Sequence, residues 1–239
     1  MIFRTNAIVL SKIKYRDNDL IVKCYTDQHG IVSYLLRGVL KSSKGSAKAA
    51  YFQPLLQLQL EENYKVNQSL QFIKDVKLNV VYHTLHSNVI KSSIVMFISE
   101  VLSVVLKEEE SNEPLFNYLE ASIIWLDHES DVSNFHLLFL LNLTKYLGFY
   151  PDTSNIESEY FRLDTGSFES KSHHSYAISN ENMVILKQLL GINFDELKSM
   201  KLNSKQRQSF LNMLLLYFEL HLGDFKKPKS LSVFNQVFN

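Results

Sequence analysis

The first eighty residues repeat a short pattern in which apolar and polar residues alternate. A period of two is typical of β-strands with one buried face. The pattern recurs in five segments, separated by polar or glycine-containing turns: residues 7–13, 20–25, 31–37, 56–60 and 70–78. Five short strands in so short a stretch favour a small closed β-barrel over an open sheet, because closure removes the exposed edge strands.

A cationic segment lies between the third and fourth predicted strands. Between Ile31 and Leu60 the sequence contains no Asp or Glu, and its basic residues are Arg37, Lys41, Lys44 and Lys48. This segment is not a Walker A motif, because Gly38 and Gly45 have the wrong spacing and no Gly-Lys-Ser/Thr follows. We expect a mobile loop whose lysines neutralise phosphates, which makes binding sensitive to salt without reading sequence.

The formal net charge of zero hides an uneven distribution of charge along the chain. Residues 1–80 contain 12 Lys/Arg and 6 Asp/Glu, residues 81–200 contain 7 and 17, and residues 201–239 contain 6 and 2. Such asymmetry indicates contact with a nucleic acid or a membrane surface at the basic parts. Chance variation among solvated faces is the alternative, but the clustering in one predicted loop favours a polyanion.

Aromatic residues near the basic segment complete a predicted nucleic-acid surface. Barrels of the OB type bind oligonucleotides on one face, where a cationic groove and stacking aromatic rings hold a single strand. Core packing is the simpler explanation for Tyr25, Tyr34, Phe52, Tyr64 and Phe72, whereas Tyr15 and Tyr51 lie beside polar turns. The predicted DNA-binding residues are therefore Lys14, Tyr15, Arg16, Arg37, Lys41, Lys44, Lys48 and Tyr51.

From residue 81 onward the apolar period becomes that of an α-helix. Residues 85–105, 115–126 and 135–147 fit helices, and the third is apolar almost all round, which indicates a central buried helix ending at Gly148. Residues 183–190, 194–200 and 207–222 fit further helices, followed by a basic tail, Lys226–Lys229. We predict an α+β multidomain protein: a five-stranded OB-type barrel (residues 1–80) followed by an α-helical domain (residues 81–239).

An irregular lobe, residues 151–179, interrupts the helical part. It has no helical period and is rich in Ser, Asp, Glu and His, with a predicted hairpin around Asp164-Thr165-Gly166. His173 and His174 suggest a metal site, but adjacent side chains point in different directions and no cysteine lies near them. We therefore predict no metal ligands in the lobe.

The sequence carries no motif for covalent chemistry. It lacks a Gly-x-Ser-x-Gly motif, a metal triad and a dinucleotide fingerprint, so we predict neither an enzyme nor a cofactor. The one cysteine, Cys24, lies in an apolar strand and is expected in the core. No stretch reaches the roughly 18–20 apolar residues that span a bilayer, and no signal peptide is visible. We expect a cytoplasmic, nucleoid-associated protein without a membrane contact.

Several short motifs, taken together, resemble the RecO family of bacterial recombination mediators. In chain order they are Ala7-Ile8-Val9-Leu10, Asp19-Leu20, Thr26-x-x-x-Gly30, Arg37-Gly38, Gln53-Pro54, Leu147-Gly148-Phe149, His221-Leu222-Gly223 and Lys229-Ser230. Many members of the family carry four zinc-binding cysteines in the lobe that corresponds to residues 151–179. This chain has none of them, so the lobe resembles a degenerate, zinc-less zinc-finger region.

The resemblance implies binding of single- and double-stranded DNA, annealing of complementary strands, and help in loading the RecA recombinase. It also implies two partners, RecR and the single-stranded-DNA-binding protein. The acidic C-terminal tail of the latter would need a basic-rimmed apolar groove, for which the candidate residues are Arg207, Lys226, Lys227 and Lys229. A solvated tail is the alternative for the three lysines. An adaptor that binds peptide tails through its helical domain, or an RNA-binding module, remains an alternative function.

Overall fold

The computed structural model describes residues 3–107, 110–171 and 175–238 of the chain. These residues divide into two compact units, Met1–His128 with Pro228–Ser230, and Glu129–Lys227 with Leu231–Asn239. The first unit contains the N-terminal sheet and two long helices. The predicted boundary between a domain of residues 1–80 and a domain of residues 81–239 stays a prediction. No described helix combines the length and the hydropathy that a bilayer-spanning segment requires.

The first unit is built on a five-stranded antiparallel sheet with the strand order β3-β2-β1-β4-β5. Its strands are β1 (Phe3–Tyr15), β2 (Asp19–Thr26), β3 (Gly30–Leu36), β4 (Gln57–Glu62) and β5 (Ile73–Leu78). The prediction of five strands is thereby confirmed, although the first begins earlier and the fifth later than the pattern indicated. Buried side chains alternate along β2 and β3, which explains why the sequence pattern identified these two strands.

The prediction of a closed barrel is wrong, because the ladder of paired strands does not close. The end strands β3 and β5 do not share a continuous ladder. A parallel bridge joins Tyr34 of β3 to Gln71, two residues before β5 begins. The Gln71 side chain is bonded within its own loop: it accepts the Lys65 N–H and donates to the Lys65 and Gln68 carbonyl oxygens.

The sheet core lies on the face that carries Ala7, Val9, Val22 and Leu58. Cys24 is fully buried in this core, which confirms its prediction as a core residue. The opposite face of β1 is also covered, because α2 (Val89–Val105) packs on β1.

A second long helix, α3 (Glu113–His128), belongs to the same unit. Pro114 lies in its first turn, as predicted, where the missing N–H costs nothing. The Gln57 side chain donates to the Glu120 carbonyl oxygen at 3.0 Å, which joins β4 to this helix. The Asp127 carboxylate accepts three backbone N–H bonds from residues 83–85, which fixes the chain between the sheet and α2.

The second unit is helical with a small sheet. Its central helix, α4 (Phe135–Tyr146), has ten buried residues out of 12, which confirms the predicted buried helix. The other helices are α5 (Glu181–Leu189), a 3-10 turn (Glu196–Ser199), α6 (Ser204–His221) and α7 (Leu231–Val237). The predicted helix at residues 194–200 is therefore only one 3-10 turn, and α7 was not predicted.

The lobe is not irregular in the residues that are described. It contains a three-stranded sheet of β6 (Tyr160–Arg162), β7 (Ser167–Glu169) and β8 (Ala177–Ile178), in the order β7-β6-β8. The predicted hairpin around Asp164-Thr165-Gly166 is confirmed, and the Arg162 guanidinium bonds both Asp164 and Glu169 across it. Strands of two or three residues are too short to show a period in the sequence.

Aromatic contacts hold the lobe, and Phe149 just before it, against α6; the Phe161 ring of the lobe lies 6.0 Å from the Tyr217 ring. Phe149 stacks on His221 with ring centroids 5.0 Å apart, and the Tyr217 hydroxyl donates to the Phe149 carbonyl oxygen at 2.7 Å. Gly166 has a φ of 67°, and a Cβ there would collide with the Tyr217 hydroxyl. The motifs Leu147-Gly148-Phe149 and His221-Leu222-Gly223 thus meet in one cluster.

A buried carboxyl group lies at one end of the first sheet. Glu62, at the end of β4, is fully buried, and neither of its carboxylate oxygens has a hydrogen-bond partner among the described residues. Burial raises the pKa of Glu62; the neighbouring Tyr34 hydroxyl opposes the rise, and the charge of Asp27 adds to it. The folded protein therefore holds this carboxyl group protonated at pH values where the unfolded chain has already released the proton.

The raised pKa of Glu62 predicts that the free energy of unfolding falls as pH rises. The stability that goes with the neutral carboxyl is complete below the unfolded pKa of about 4.3 and is lost as pH rises through the folded pKa. Glu62→Gln removes the ionisation, so the variant should gain stability over the wild type as pH rises from about 5 to 8. A tenfold change in an ionisation constant corresponds to about 1.4 kcal/mol. Urea unfolding across this pH range measures the difference.

The neighbouring Glu61 provides the matched control. Its side chain is partly exposed and pairs with Arg4 at 3.1 Å, so Glu61→Gln should not acquire a growing advantage at high pH. A stability difference between the Glu62→Gln variant and wild type that stays constant across the series would contradict the buried, protonated state.

Candidate nucleic-acid interface

The β1–β2 turn and the segment after β3 lie at the same end of the first sheet. The register pairs Tyr15 with Asp19 and Leu20 with Leu36, so the end of β1, the start of β2 and the end of β3 coincide. Two hydrogen bonds join the segments directly: the Gly38 N–H donates to Asp19 Oδ1 at 2.7 Å, and the Leu40 N–H donates to the Asn18 carbonyl oxygen at 3.0 Å.

The turn itself carries an exposed cation and an aromatic ring. The Arg16 guanidinium lies over the Tyr15 ring, 5.2 Å from its centroid, and Tyr15 is half-buried. Arg16 adopts a φ of 53°, a left-handed conformation that is uncommon for a residue with a side chain. Lys14 is exposed one residue before this pair.

The predicted mobile loop at residues 41–48 is wrong: most of it forms a short helix, α1 (Ser43–Ala49). The chain turns at Gly38, which has a φ of 61°, and the Gly45 backbone then packs directly on the Val39 carbonyl group. A side chain at position 45 would collide with that carbonyl oxygen, so glycine is needed there. The Ser42 hydroxyl accepts the Gly45 N–H at 3.2 Å and supports the first turn.

The helix presents its cations to solvent. Lys41 and Lys44 are exposed, whereas Lys48 is half-buried beside the buried Ala49. Tyr51 follows the helix and is 36% exposed, in contrast to its neighbour Phe52, which is fully buried. The structure therefore distinguishes the two aromatic residues in the way that the sequence predicted.

A second cation–aromatic pair lies next to this end of the sheet. Arg37 is exposed, and its guanidinium lies 4.8 Å from the centroid of the Phe72 ring, which is 38% exposed. Core packing was the simpler explanation for Phe72, but the ring lies at the surface, one residue after the bridge at Gln71.

Six basic side chains in this region carry uncompensated charge. None of them forms an ion pair within residues 3–107, 110–171 and 175–238. The six residues are Lys14, Arg16, Arg37, Lys41, Lys44 and Lys48. Asp19 accepts a backbone N–H bond in the same region, and Asp17 is exposed in the turn. We refer to these six cations, with Tyr15, Tyr51 and Phe72, as the cationic end of the sheet.

In the second unit, α6 carries Arg207 in its first turn. Arg207 is half-buried, donates to the Leu202 carbonyl oxygen and to Ser204, and its Nε has no partner among the described atoms. It lines a cavity of about 10 Å³ with His136, Phe234 and Phe238.

His136 contributes a neutral ring to that cavity. Burial lowers the pKa of His136 to about 3, and the charge of Arg207 adds to the effect. The Nδ1 atom of His136 has no partner among the described residues. The cavity is just large enough for one water molecule, which such unpaired polar atoms would hold.

The structure separates the predicted partner-binding residues. Lys226 and Lys227 are exposed beyond the C-terminal end of α6, and Lys227 pairs with Glu219 at 3.5 Å. From Arg207 to the end of α6 the helix rises roughly 20 Å, so these lysines and Arg207 do not form one groove rim along α6. Lys229 is exposed in the segment that belongs to the first unit.

The described parts of the chain contain no group of three or more His, Cys, Asp or Glu side chains arranged to hold a metal ion. The two histidines that suggested a metal, His173 and His174, lie outside the described residues.

Two family models match consecutive parts of the chain. The model described as "Recombination protein O N terminal" matches residues 1–81, and the one described as "Recombination protein O C terminal" matches residues 86–231. The chain belongs to the RecO family. The resemblance drawn from the sequence motifs is thereby confirmed.

Full-length relatives agree with this assignment to the RecO family. The chain is 48% identical over 238 residues to the DNA repair protein RecO of Christiangramia forsetii and 44% identical over 239 residues to that of Flavobacterium johnsoniae. It is 36% identical over 244 residues to the DNA repair protein RecO of Bacteroides fragilis. Each comparison covers 100% of both chains.

The close approach of Gly45 to Val39 predicts the effect of a single methyl group. Alanine is the better helix former by about 1 kcal/mol, yet Gly45→Ala should lower the free energy of unfolding by about 1–3 kcal/mol, because the added Cβ overlaps backbone atoms that cannot move aside. Urea unfolding, together with amide exchange in α1, measures the loss.

Gly223→Ala is the control for this substitution, since an added Cβ there meets no atom within 4 Å. It should leave stability within about 0.5 kcal/mol of the wild type. Equal stability of the two variants would show that α1 does not rest on Val39 in solution.

Proposed function

We propose that the cationic end of the sheet binds the phosphate backbone of single- and double-stranded DNA. The observation that carries this proposal is the group of six cations without ion pairs, gathered from two segments that are hydrogen-bonded to each other. Phosphate neutralisation by such side chains releases counterions and supplies affinity without sequence preference. Membership of the RecO family supports a role in DNA repair and homologous recombination.

We further propose that the sheet works as an OB-type surface. The bridge between Tyr34 and Gln71 brings the segment before β5 against the outer edge of β3, as partial closure of a five-stranded barrel requires. Tyr15, Tyr51 and Phe72 then lie among the cations as stacking partners for unpaired bases, which single-strand binding uses.

Annealing of complementary strands fits the same surface. Two DNA strands repel each other, and a cationic surface that binds both lowers this repulsion. The process needs no covalent step, so we propose a mediator without catalytic residues. Binding to the chromosome would place the protein with the nucleoid in the cytoplasm.

We also propose, from the family resemblance, that the protein acts with RecR and the single-stranded-DNA-binding protein to load the RecA recombinase. The acidic tail of the single-strand binder would contact Arg207, Lys226, Lys227 or Lys229. Support comes from the exposure of the three lysines and from the position of Arg207 beside the Phe234 and Phe238 side chains. Because α6 separates Arg207 from Lys226 and Lys227, the tail would contact one of these two groups rather than both.

Charge reversal on α1 tests the DNA-binding proposal. Lys41→Glu, Lys44→Glu and Lys48→Glu together should weaken binding of a single-stranded oligonucleotide and lower the slope of log affinity against log salt by about two, at roughly 0.7 per phosphate contact. The variant should also lose strand annealing at moderate salt. Fluorescence anisotropy across a salt series and an annealing assay, with and without the single-strand binder, measure both effects.

Three exposed lysines of the second unit, Lys171, Lys201 and Lys205, allow a matched reversal with the same change in net charge. This control should keep the wild-type slope within experimental error. If both triple variants lose affinity to the same extent, net charge rather than the cationic end governs binding. A wild type that binds an acidic peptide tightly but does not anneal DNA would favour the adaptor function, in which the helical domain holds peptide tails.

A further inference from the structure

The outer edge of β3 is only partly paired. The Ser33 carbonyl oxygen accepts the Gln71 N–H at 2.8 Å, and the Leu35 N–H donates to the Gln71 carbonyl oxygen at 2.9 Å. In an antiparallel strand the N–H and C=O of one residue point to the same side, and alternate residues share that side. The N–H of Ser33 and both backbone groups of Ile31 therefore point to the same edge, where the described residues provide no backbone partner.

The loop between β4 and β5 forms a firm wall opposite this edge. Gln71, which is 2% exposed, accepts the Lys65 N–H and donates to the carbonyl oxygens of Lys65 and Gln68 at 2.8 and 2.7 Å. The loop is thus bonded to its own base through one buried side chain. Tyr64, at the start of the loop, is fixed by the His29 ring, which stacks on it at 3.8 Å with an interplanar angle of 5°.

A cavity of about 150 Å³ lies between the β3 edge and this loop. An engineered apolar cavity of about that volume takes up benzene, so the space is sufficient for a six-membered ring. No charged side chain lines it. Its polar lining includes the side chains of Ser33, Asn67 and Ser69, none of which makes a hydrogen bond within the described part of the chain.

This lining suits a nucleobase better than a phosphate group. A base presents neutral donors and acceptors on its edge, which amide and hydroxyl side chains and free backbone groups recognise. A phosphate would require cations, and no cation lines the cavity, although Lys65 is exposed in the adjoining loop. The ring of Tyr64 provides an aromatic wall next to the polar groups.

Strand β3 leads from the cavity to the cationic end of the sheet. From Ser33 to Arg37 the chain rises roughly 13 Å along β3 and the residue after it. The Arg37–Phe72 pair and the cavity both adjoin Gln71, on either side of its bridge to β3. A single strand whose backbone lies at the cationic end would therefore reach the cavity with one of its next bases.

We propose that this cavity is a pocket for one unpaired nucleobase, bound by Ser33, Asn67, Ser69 and the open backbone edge of β3. The proposal rests on the DNA-binding function above and adds a base-contacting site to a surface otherwise built for phosphates. It predicts that the protein distinguishes a normal single strand from one of the same charge without bases.

The test compares two 12-residue oligomers, dT12 and an abasic strand of equal length. The double variant Asn67→Ala/Ser69→Ala should bind dT12 about tenfold more weakly than the wild type, in keeping with the loss of two hydrogen bonds to one base. Binding of the abasic strand and its salt slope should change less than twofold. Ser69→Phe, which fills the cavity, should give the same selective loss, and Asn63→Ala, an exposed neighbour, should have no effect.

Any other result would overturn the proposal of a nucleobase pocket. An equal loss on both oligomers would show a phosphate contact or a folding defect, and unchanged binding of dT12 would leave the β3 edge to a peptide strand instead. A wild type that binds both oligomers equally well would refute the pocket while the phosphate-binding proposal stands. A wild type that binds neither would refute both.

Discussion

The proposed DNA-binding surface of the first unit depends on the joint between the β1–β2 turn and the segment after β3. Two hydrogen bonds, from the Gly38 N–H to Asp19 and from the Leu40 N–H to the Asn18 carbonyl oxygen, make this joint. Without it, the cations of the turn and those of α1 would belong to two independent segments. With it, they share one end of a sheet whose register is fixed by the buried core.

The acidic groups of the described residues form no ion pair with the six cations. One carboxylate oxygen of Asp19 accepts the Gly38 N–H, and Asp19 forms no ion pair with a lysine among the described residues. The acid-rich part of the sequence, residues 81–200, does not pair with any of the six cations among the described residues. Because exposed charges more than about 10 Å apart are largely screened at 0.1 M salt, a zero net charge is compatible with a local surface that attracts phosphates.

The sheet and the buried helix could be read from the sequence because their signals are local. Alternation predicted the five strands, and the all-round apolar character of residues 135–147 predicted α4. The small residues and lysines of α1 show no apolar period. The contact that supports this helix, Gly45 on Val39, depends on the turn at Gly38. No local pattern reports such a contact.

The closure of the sheet and part of the site were beyond reach for a similar reason. The side-chain bonds of Gln71 that shape the loop before β5 are not visible as a motif, and neither is the bridge that joins Gln71 to Tyr34 of β3. Core packing was the simpler explanation for Phe72, because a single aromatic residue does not indicate whether it faces the core or the solvent. Its contact with Arg37 joins distant parts of the chain. The candidate cations, by contrast, were predictable from charge alone.

Photocrosslinking of a single-stranded oligonucleotide that carries 5-iodouracil tests the central claim directly, with the attachment sites mapped by mass spectrometry. If DNA binds at the cationic end of the sheet, crosslinks should form at Tyr15, Tyr51 or Phe72, the exposed or half-buried rings among the cations. Crosslinks confined to residues 129–227 would contradict the account, since they would place the bound strand on the second unit.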